Sequence, residues 1–183
     1  MRLLGISAQI GQSFCCVLPG HEEAHPSAAI VFDKATESFR YHDFHGPKRG
    51  SPEWLSLAEV YAAQCGRRCA RRIFGVQAAT WWARLANDAR LVEVSPPALP
   101  ALPSDAPQAP RRVAEGFALL LGLRAAHFGD LAPAPFSWRF ASAWTGVSHR
   151  HAGAALTYLQ RHGVMHKADS TNTVTLYGAG PDR

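Results

Sequence analysis

The sequence predicts an α+β chain built as two small units. Three observations lead there. Residues 95–110 read SPPALPALPSDAPQAP, with six prolines in sixteen positions; proline fixes φ and removes a backbone donor, so neither a helix interior nor a central strand is expected across them. Before this break, apolar residues alternate with a period of two. After it, they recur at three and four positions. The expected units are 1–94 and 111–183, joined by 95–110 as an extended, semi-rigid linker.

Composition narrows the class. The chain has 183 residues, 47% hydrophobic and 18% charged, which suits a folded protein rather than a disordered one. Its longest apolar run, Phe117 to Leu123, is far short of the roughly 20 residues a membrane span needs, so no membrane partner is expected. Gln9 and Gln12 interrupt the N-terminal region where an export signal needs an unbroken apolar core. Four cysteines are too few for a disulfide scaffold. A cytoplasmic location is the resulting expectation. The net charge of +5 is uneven: residues 1–64 hold 5 basic and 7 acidic side chains, residues 65–94 hold 6 and 2, and residues 95–183 hold 8 and 5. Only Lys34, Lys48 and Lys167 of the 19 basic residues are lysines, and arginine is the better bidentate phosphate ligand. A basic excess of this kind favours an acidic partner such as DNA.

In the first unit, Ala28, Ile30 and Phe32 alternate, Asp33 to Glu37 form a turn, and Phe39 and Tyr41 alternate on the return, a β-hairpin signal. Ser56 with Glu59 three residues later has the spacing of a capping box. Leu57, Val60 and Tyr61 continue it as a helix ending near Gly66. A second helix is expected over Gln77 to Leu91, with Trp81, Trp82 and Leu85 toward a core.

In the second unit, Val113, Phe117, Leu120 and Leu121 mark one helix, and Phe136 to Trp144 a short second one. Ser148 is a suitable N-cap for a third, whose buried stripe is Ala152, Ala155, Leu156 and Leu159 and which runs to about Arg161. Val164 to Ala168 and Thr173 to Tyr177 read as two strands. Three helices followed by a β-hairpin is the order of a winged helix-turn-helix. In that arrangement the third helix reads DNA: Ser148, His149, Arg150 and His151 at its start meet base edges, Thr157 and Arg161 touch the backbone, and Lys167, Thr171 and Asn172 arm the wing. Trp138 and Trp144 are expected in the core.

Metal-ligating side chains concentrate in the first 45 residues. Cys16 and His21 are separated by four residues and His42 and His45 by two, flanking the hairpin. Two close pairs beside a hairpin suit a tetrahedral structural Zn²⁺ site. Asp43 is the alternative to His42, and Cys15 to Cys16. Cys65 and Cys69 share a helical spacing and read as small buried side chains, and Arg67, Arg68, Arg71 and Arg72 around them form a candidate phosphate-binding patch.

The stretch from Cys16 and His21 through Pro26-Ser27-Ala28 to Tyr41-His42-Asp43-Phe44-His45 resembles the N-terminal zinc ribbon of bacterial DNA primases. In that family Pro-Ser follows the ligand histidine by five residues, as Pro26 follows His21, and a helix follows the second knuckle, as Leu55 to Gln64 does. The resemblance covers about residues 12–66. The first knuckle here is two residues longer, His42 and His45 stand where the family has cysteines, and no Asp-x-Asp polymerase element follows. The resemblance implies a zinc cofactor and a replication setting. With no Gly-x-Ser-x-Gly or Walker-type loop present, the expectation is a non-enzymatic zinc- and DNA-binding accessory of plasmid, phage or integrative-element replication, working with a primase, polymerase or helicase. The alternatives are a transcription regulator with a structural ribbon and a detached primase subunit acting in trans.

Overall fold

A computed structural model describes residues 2–21, 23–44, 54–67, 72–170 and 174–181. The architecture is α+β, with two antiparallel sheets and five α-helices among the described residues. The chain forms two compact units, Met1–Leu91 and Val92–Arg183. Among the described residues no helix is long and apolar enough to cross a membrane.

The first unit is organised by the hairpin of β2 (Ala28–Asp33) and β3 (Ser38–Asp43). Its register pairs Ile30 with Tyr41 and Ala28 with Asp43. The turn is held by Asp33, whose carboxylate accepts the Ala35 amide at 3.0 Å and the Thr36 hydroxyl at 2.8 Å, the local bonding that makes Asp a turn former. Short strands β1 (Ser13–Phe14) and β4 (Trp54–Leu55) extend the sheet on either side, in the order β1-β2-β3-β4. Helix α1 (Leu57–Gln64) starts at the Ser56–Glu59 capping box read from the sequence, with both reciprocal bonds present. The buried Glu59 also accepts the Ile73 amide at 3.1 Å, so one carboxylate fixes both the start of α1 and the approach to α2 (Gly75–Asp88). Leu4, Ile6, Leu18, Ile30, Tyr41, Leu55, Val60 and Leu85 form the core. Trp82 departs from expectation: it is 42% exposed, because Ala79, Ala83 and Leu85 carry the buried side of α2.

The second unit has α3 (Gln108–Phe128), β5 (Ala134–Pro135), α4 (Trp138–Thr145), α5 (His149–Arg161), β6 (Met165–Ser170) and β7 (Thr175–Ala179). The three-residue link Thr171–Thr173 lies outside the described residues, and with it the expected wing residues Thr171 and Asn172. β5, which the sequence reading missed, joins the hairpin to give a sheet of order β5-β7-β6. The predicted stripe holds: Val113, Phe117 and Leu121 of α3 pack with Ala152, Ala155, Leu156 and Leu159 of α5 in one core. Trp144 packs against that core and donates its indole N–H to the Gly116 carbonyl at 2.8 Å, satisfying the polar end of a largely apolar side chain.

The proline-rich segment differs from a free linker. It lacks regular structure up to Pro107, as its prolines dictate, but Pro110 already sits in the first turn of α3, where its missing donor is harmless. Leu99 and Leu102 pack against the core of the second unit and Ala106 is 7% exposed. Arg111 clamps the segment by donating to the carbonyls of Pro103, Ser104 and Ala106 at 2.7–3.0 Å. Pro96 lies so close to α3 that a Cβ on Gly122 would meet its Cα at 2.9 Å. The second unit therefore begins near Val92, not at 111.

Gly122→Ala should destabilise the protein by ~1–3 kcal/mol through this backbone contact. Gly153→Ala, whose Cβ meets nothing within 4 Å, should be neutral or stabilise by ~0.5–1 kcal/mol; thermal denaturation of the two variants checks the contrast. A fragment of residues 92–183 should likewise melt at a higher temperature than one of 111–183, which loses the apolar contacts of Leu99, Leu102 and Ala106. Equal melting temperatures would show that the segment is an unattached linker.

Candidate metal centre and nucleic-acid face

The metal-capable residues of the first unit converge only in part as the sequence suggested. Cys16 follows β1, and the turn through Pro19 and Gly20, closed by His21 N–H to the Leu18 carbonyl at 3.2 Å, brings His21 back beside it. Asp43 ends β3 on the same face. The sulfur of Cys16, a ring nitrogen of His21 and a carboxylate oxygen of Asp43 all lie within 4.8 Å of one another, an arrangement that could hold a metal ion. His21 Nδ1 stands 3.3 Å from Asp43 Oδ2, yet that nitrogen is buried without a hydrogen-bond partner. The two atoms are within ion-pair distance but lack the alignment of a hydrogen bond.

His42 is not part of this group. Side chains alternate across a strand, so Tyr41 and Asp43 turn toward the core and His42 to the opposite face. There its ring packs 4.1 Å from Trp54 and 4.6 Å from Phe44, centroid to centroid. Asp43 occupies the position expected of His42. His45, the fourth expected ligand, lies outside the described residues. Cys15 is exposed and Cys16 half-buried, and of the two only Cys16 belongs to this group.

A residue without a predicted role completes the group. Tyr41, fully buried, accepts the Val17 N–H at 3.2 Å and donates its own hydroxyl to Cys16 Sγ at 3.0 Å. Burial pushes the Cys16 thiol above its ordinary value; the Tyr41 hydrogen bond opposes that shift, and the carboxylates of Asp43 and Glu23 add to it. Burial, then the contact with Cys16, raises the Tyr41 phenol far above the usual range, so Tyr41 is a permanent donor. The signal that would have found Asp43 is its offset of two from Tyr41, which puts both on one side of the strand; Phe39, in the same phase, is exposed.

The arginine cluster is only partly described. Arg72 is exposed and donates to the Trp54 carbonyl at 3.3 Å. That carbonyl also accepts from the buried Arg40 at 3.1 Å. Arg67 ends the turn after α1, half-buried. Arg68, Cys69 and Arg71 lie outside the described residues. Cys65 is exposed at the end of α1, not buried, because the helix stops there and the core-facing positions are Val60 and Ala63.

In the second unit Ser148, His149, Arg150, His151, Thr157, Arg161 and Lys167 are all exposed. Arg150, Thr157 and Arg161 are seven and four residues apart, so they form one stripe opposite the buried Ala152, Ala155, Leu156 and Leu159. Ser148 occupies the N-cap position but makes no side-chain cap bond; its hydroxyl meets His151 Nδ1 at 2.9 Å instead. Trp138, expected in the core, is 42% exposed, with Arg139 5.1 Å from its ring centre and the His149 ring edge-on at 5.2 Å. It sits at the first position of α4, outside the buried pair Ala141 and Ser142. From Leu131 to Ala168 the chain contains no Asp or Glu, but does contain Arg139, Arg150, Arg161, Lys167 and four histidines.

Set against protein-family models, curated proteins and solved structures, the chain has no match.

The raised Cys16 value sets a pH dependence. A thiol whose folded value lies above the unfolded value near 9.0 is neutral in both states well below pH 9. Above that pH the unfolded chain ionises first, so folding stability falls as pH rises. In chelator, wild-type protein should lose stability in this alkaline window, and Cys16→Ser should lose less; denaturant titrations from pH 7 to 10 measure the difference.

Proposed function

We propose that this protein is a non-enzymatic zinc- and DNA-binding factor, an accessory of replication or priming. In this reading its second unit is a winged helix-turn-helix that docks on duplex DNA, and its first unit is a ribbon supported by zinc. The observation that carries the DNA reading is the carboxylate-free run from Leu131 to Ala168, which puts Arg139 on α4, Arg150 and Arg161 on α5 and Lys167 on β6 before the next carboxylate, Asp169. Phosphate neutralisation dominates DNA affinity, and a face of this composition meets that need.

The element order supports the same reading. A helix, a short strand, two helices and a hairpin, with the last strand between the other two, suits a winged helix-turn-helix, in which the third helix would enter the major groove. On α5 the outward stripe would then place Arg150 toward base edges and Arg161 toward the backbone. Gly153 and Ala154 between them are small enough to let the helix axis come close. Arg139 and Trp138 extend the face onto α4, the guanidinium for phosphate and the indole for the apolar side of a deoxyribose. The replication setting rests on the primase-ribbon resemblance of residues 12–66, and a primase, polymerase or helicase is the partner it implies.

The test is the salt dependence of duplex binding by the full chain, read by fluorescence anisotropy. Arg161→Ala and Lys167→Ala should each weaken binding to all sequences alike and flatten the log–log salt slope by about one unit. Arg150→Ala should cost ~1–3 kcal/mol, more on a selected site than on random DNA. Wild-type affinity and slope retained in the triple variant would overturn the assignment of the DNA face to α5 and β6.

A further inference from the structure

Resting on the zinc reading of the first unit, we infer that three of the four donors to the ion are Cys16 Sγ, His21 Nδ1 and an Asp43 oxygen, with the Tyr41 hydroxyl as an outer hydrogen-bond donor to the metal-bound sulfur.

Three observations favour this set over the paired-histidine one. The first is spacing. A tetrahedral zinc ion with Zn–N and Zn–O bonds of about 2.0–2.1 Å sets the two donor atoms about 3.3 Å apart, and His21 Nδ1 and Asp43 Oδ2 are 3.3 Å apart. The second is the buried Nδ1, which has no hydrogen-bond partner. Such an atom costs free energy comparable to a lost hydrogen bond, and a cation at the shared point removes that cost. The third is charge. One thiolate and one carboxylate cancel the dication, whereas one thiolate with three imidazoles leaves a net positive complex. A neutral complex is the cheaper one to bury, and the carboxylate of Asp43 is 4% exposed.

The role of Tyr41 follows from its two hydrogen bonds. Because its oxygen accepts the Val17 amide, its single proton is committed to the Cys16 sulfur. A metal-bound thiolate has lone pairs beyond the one given to the metal, and one of them receives this proton. The hydrogen bond lowers the energy of the sulfur lone pair, fixes the Cys16 rotamer, and ties the site to the centre of the hydrophobic core. Tyr41 is thus a positioning residue. Outer partners of this kind typically account for 10–100-fold in metal affinity.

Cobalt(II) titration of the full chain tests both parts. Wild type should take up one equivalent, with the intense visible bands of a tetrahedral ion and a near-ultraviolet thiolate-to-cobalt charge-transfer band. His42→Ala should give the same spectrum and affinity. Cys16→Ser should lose the charge-transfer band, and Asp43→Ala should bind at least ~10-fold more weakly. Tyr41→Phe should keep the band, move it to lower energy and bind ~10–100-fold more weakly. No cobalt uptake by wild type would overturn the zinc reading itself. Uptake that survives Asp43→Ala but is lost in His42→Ala would overturn the ligand set alone. An unchanged band and affinity in folded Tyr41→Phe would overturn the role of Tyr41. Because that variant touches the core, cadmium-113 NMR of the wild-type protein supplies a second measurement. A Tyr41 hydroxyl proton coupled to the cadmium nucleus through the sulfur supports the hydrogen bond, and a hydroxyl proton resolved without coupling contradicts it.

Discussion

The first unit depends on the way β3 alternates about Tyr41. The strand pairs with β2 so that Tyr41 faces Ile30 and Asp43 faces Ala28, and this register decides what enters the core and what leaves it. Tyr41 reaches across to the segment after β1, where its hydroxyl meets Val17 and Cys16 and its ring meets Phe14 edge-on at 5.8 Å. Gln64 at the end of α1 donates to the carbonyls of Leu4 and Val17 at 2.9 and 3.3 Å, tying the same segment to the helix. A one-residue slip of β3 would turn every side chain over, exchanging Asp43 for His42 and removing the Tyr41 hydroxyl from Cys16. The register that builds the core therefore also chooses the metal-capable group, and fold and site are one constraint in this unit.

The second unit solves a different problem. Its core is apolar and closed by α3 and α5. Along the sequence, Glu115 of α3 and Asp130 of the loop after it are followed by no carboxylate until Asp169. Arg139, Arg150, Arg161 and Lys167 are all exposed. The proline-rich segment contributes differently. Pinned by Arg111 and by the approach of Pro96 to Gly122, it serves as a strap on α3 that completes the core.

Much of this was legible in the sequence because it follows from local physics. The β2–β3 hairpin was visible in its alternation and its Asp33 turn, α1 in its capping box, and α5 in the spacing of its small and apolar residues. What escaped depended on contacts distant in sequence. The spacing of His42 and His45 suggested a knuckle, but spacing ignores which face a strand residue takes; the offset of two between Tyr41 and Asp43 held that information. The prolines correctly forbade regular structure, yet Leu99 and Leu102 between them needed a surface to cover, and only the tertiary fold supplies α3. Trp138 and Cys65 were misplaced because aromatic and thiol side chains are usually buried, a tendency that yields at the first or last turn of a short helix. The two-residue strand β5 carries no periodicity at all and is defined only by its pairing with β7.

In the proposed reading, the register of β3 delivers a mixed sulfur, nitrogen and oxygen donor set to one zinc ion in the first unit. X-ray absorption at the zinc edge of the zinc-loaded full chain tests it most directly, because the two classes of donor differ in bond length. One sulfur at about 2.3 Å is expected, with the remaining donors nitrogen or oxygen at about 2.0–2.2 Å. A coordination shell without sulfur would contradict it, as would a shell of two or more sulfurs.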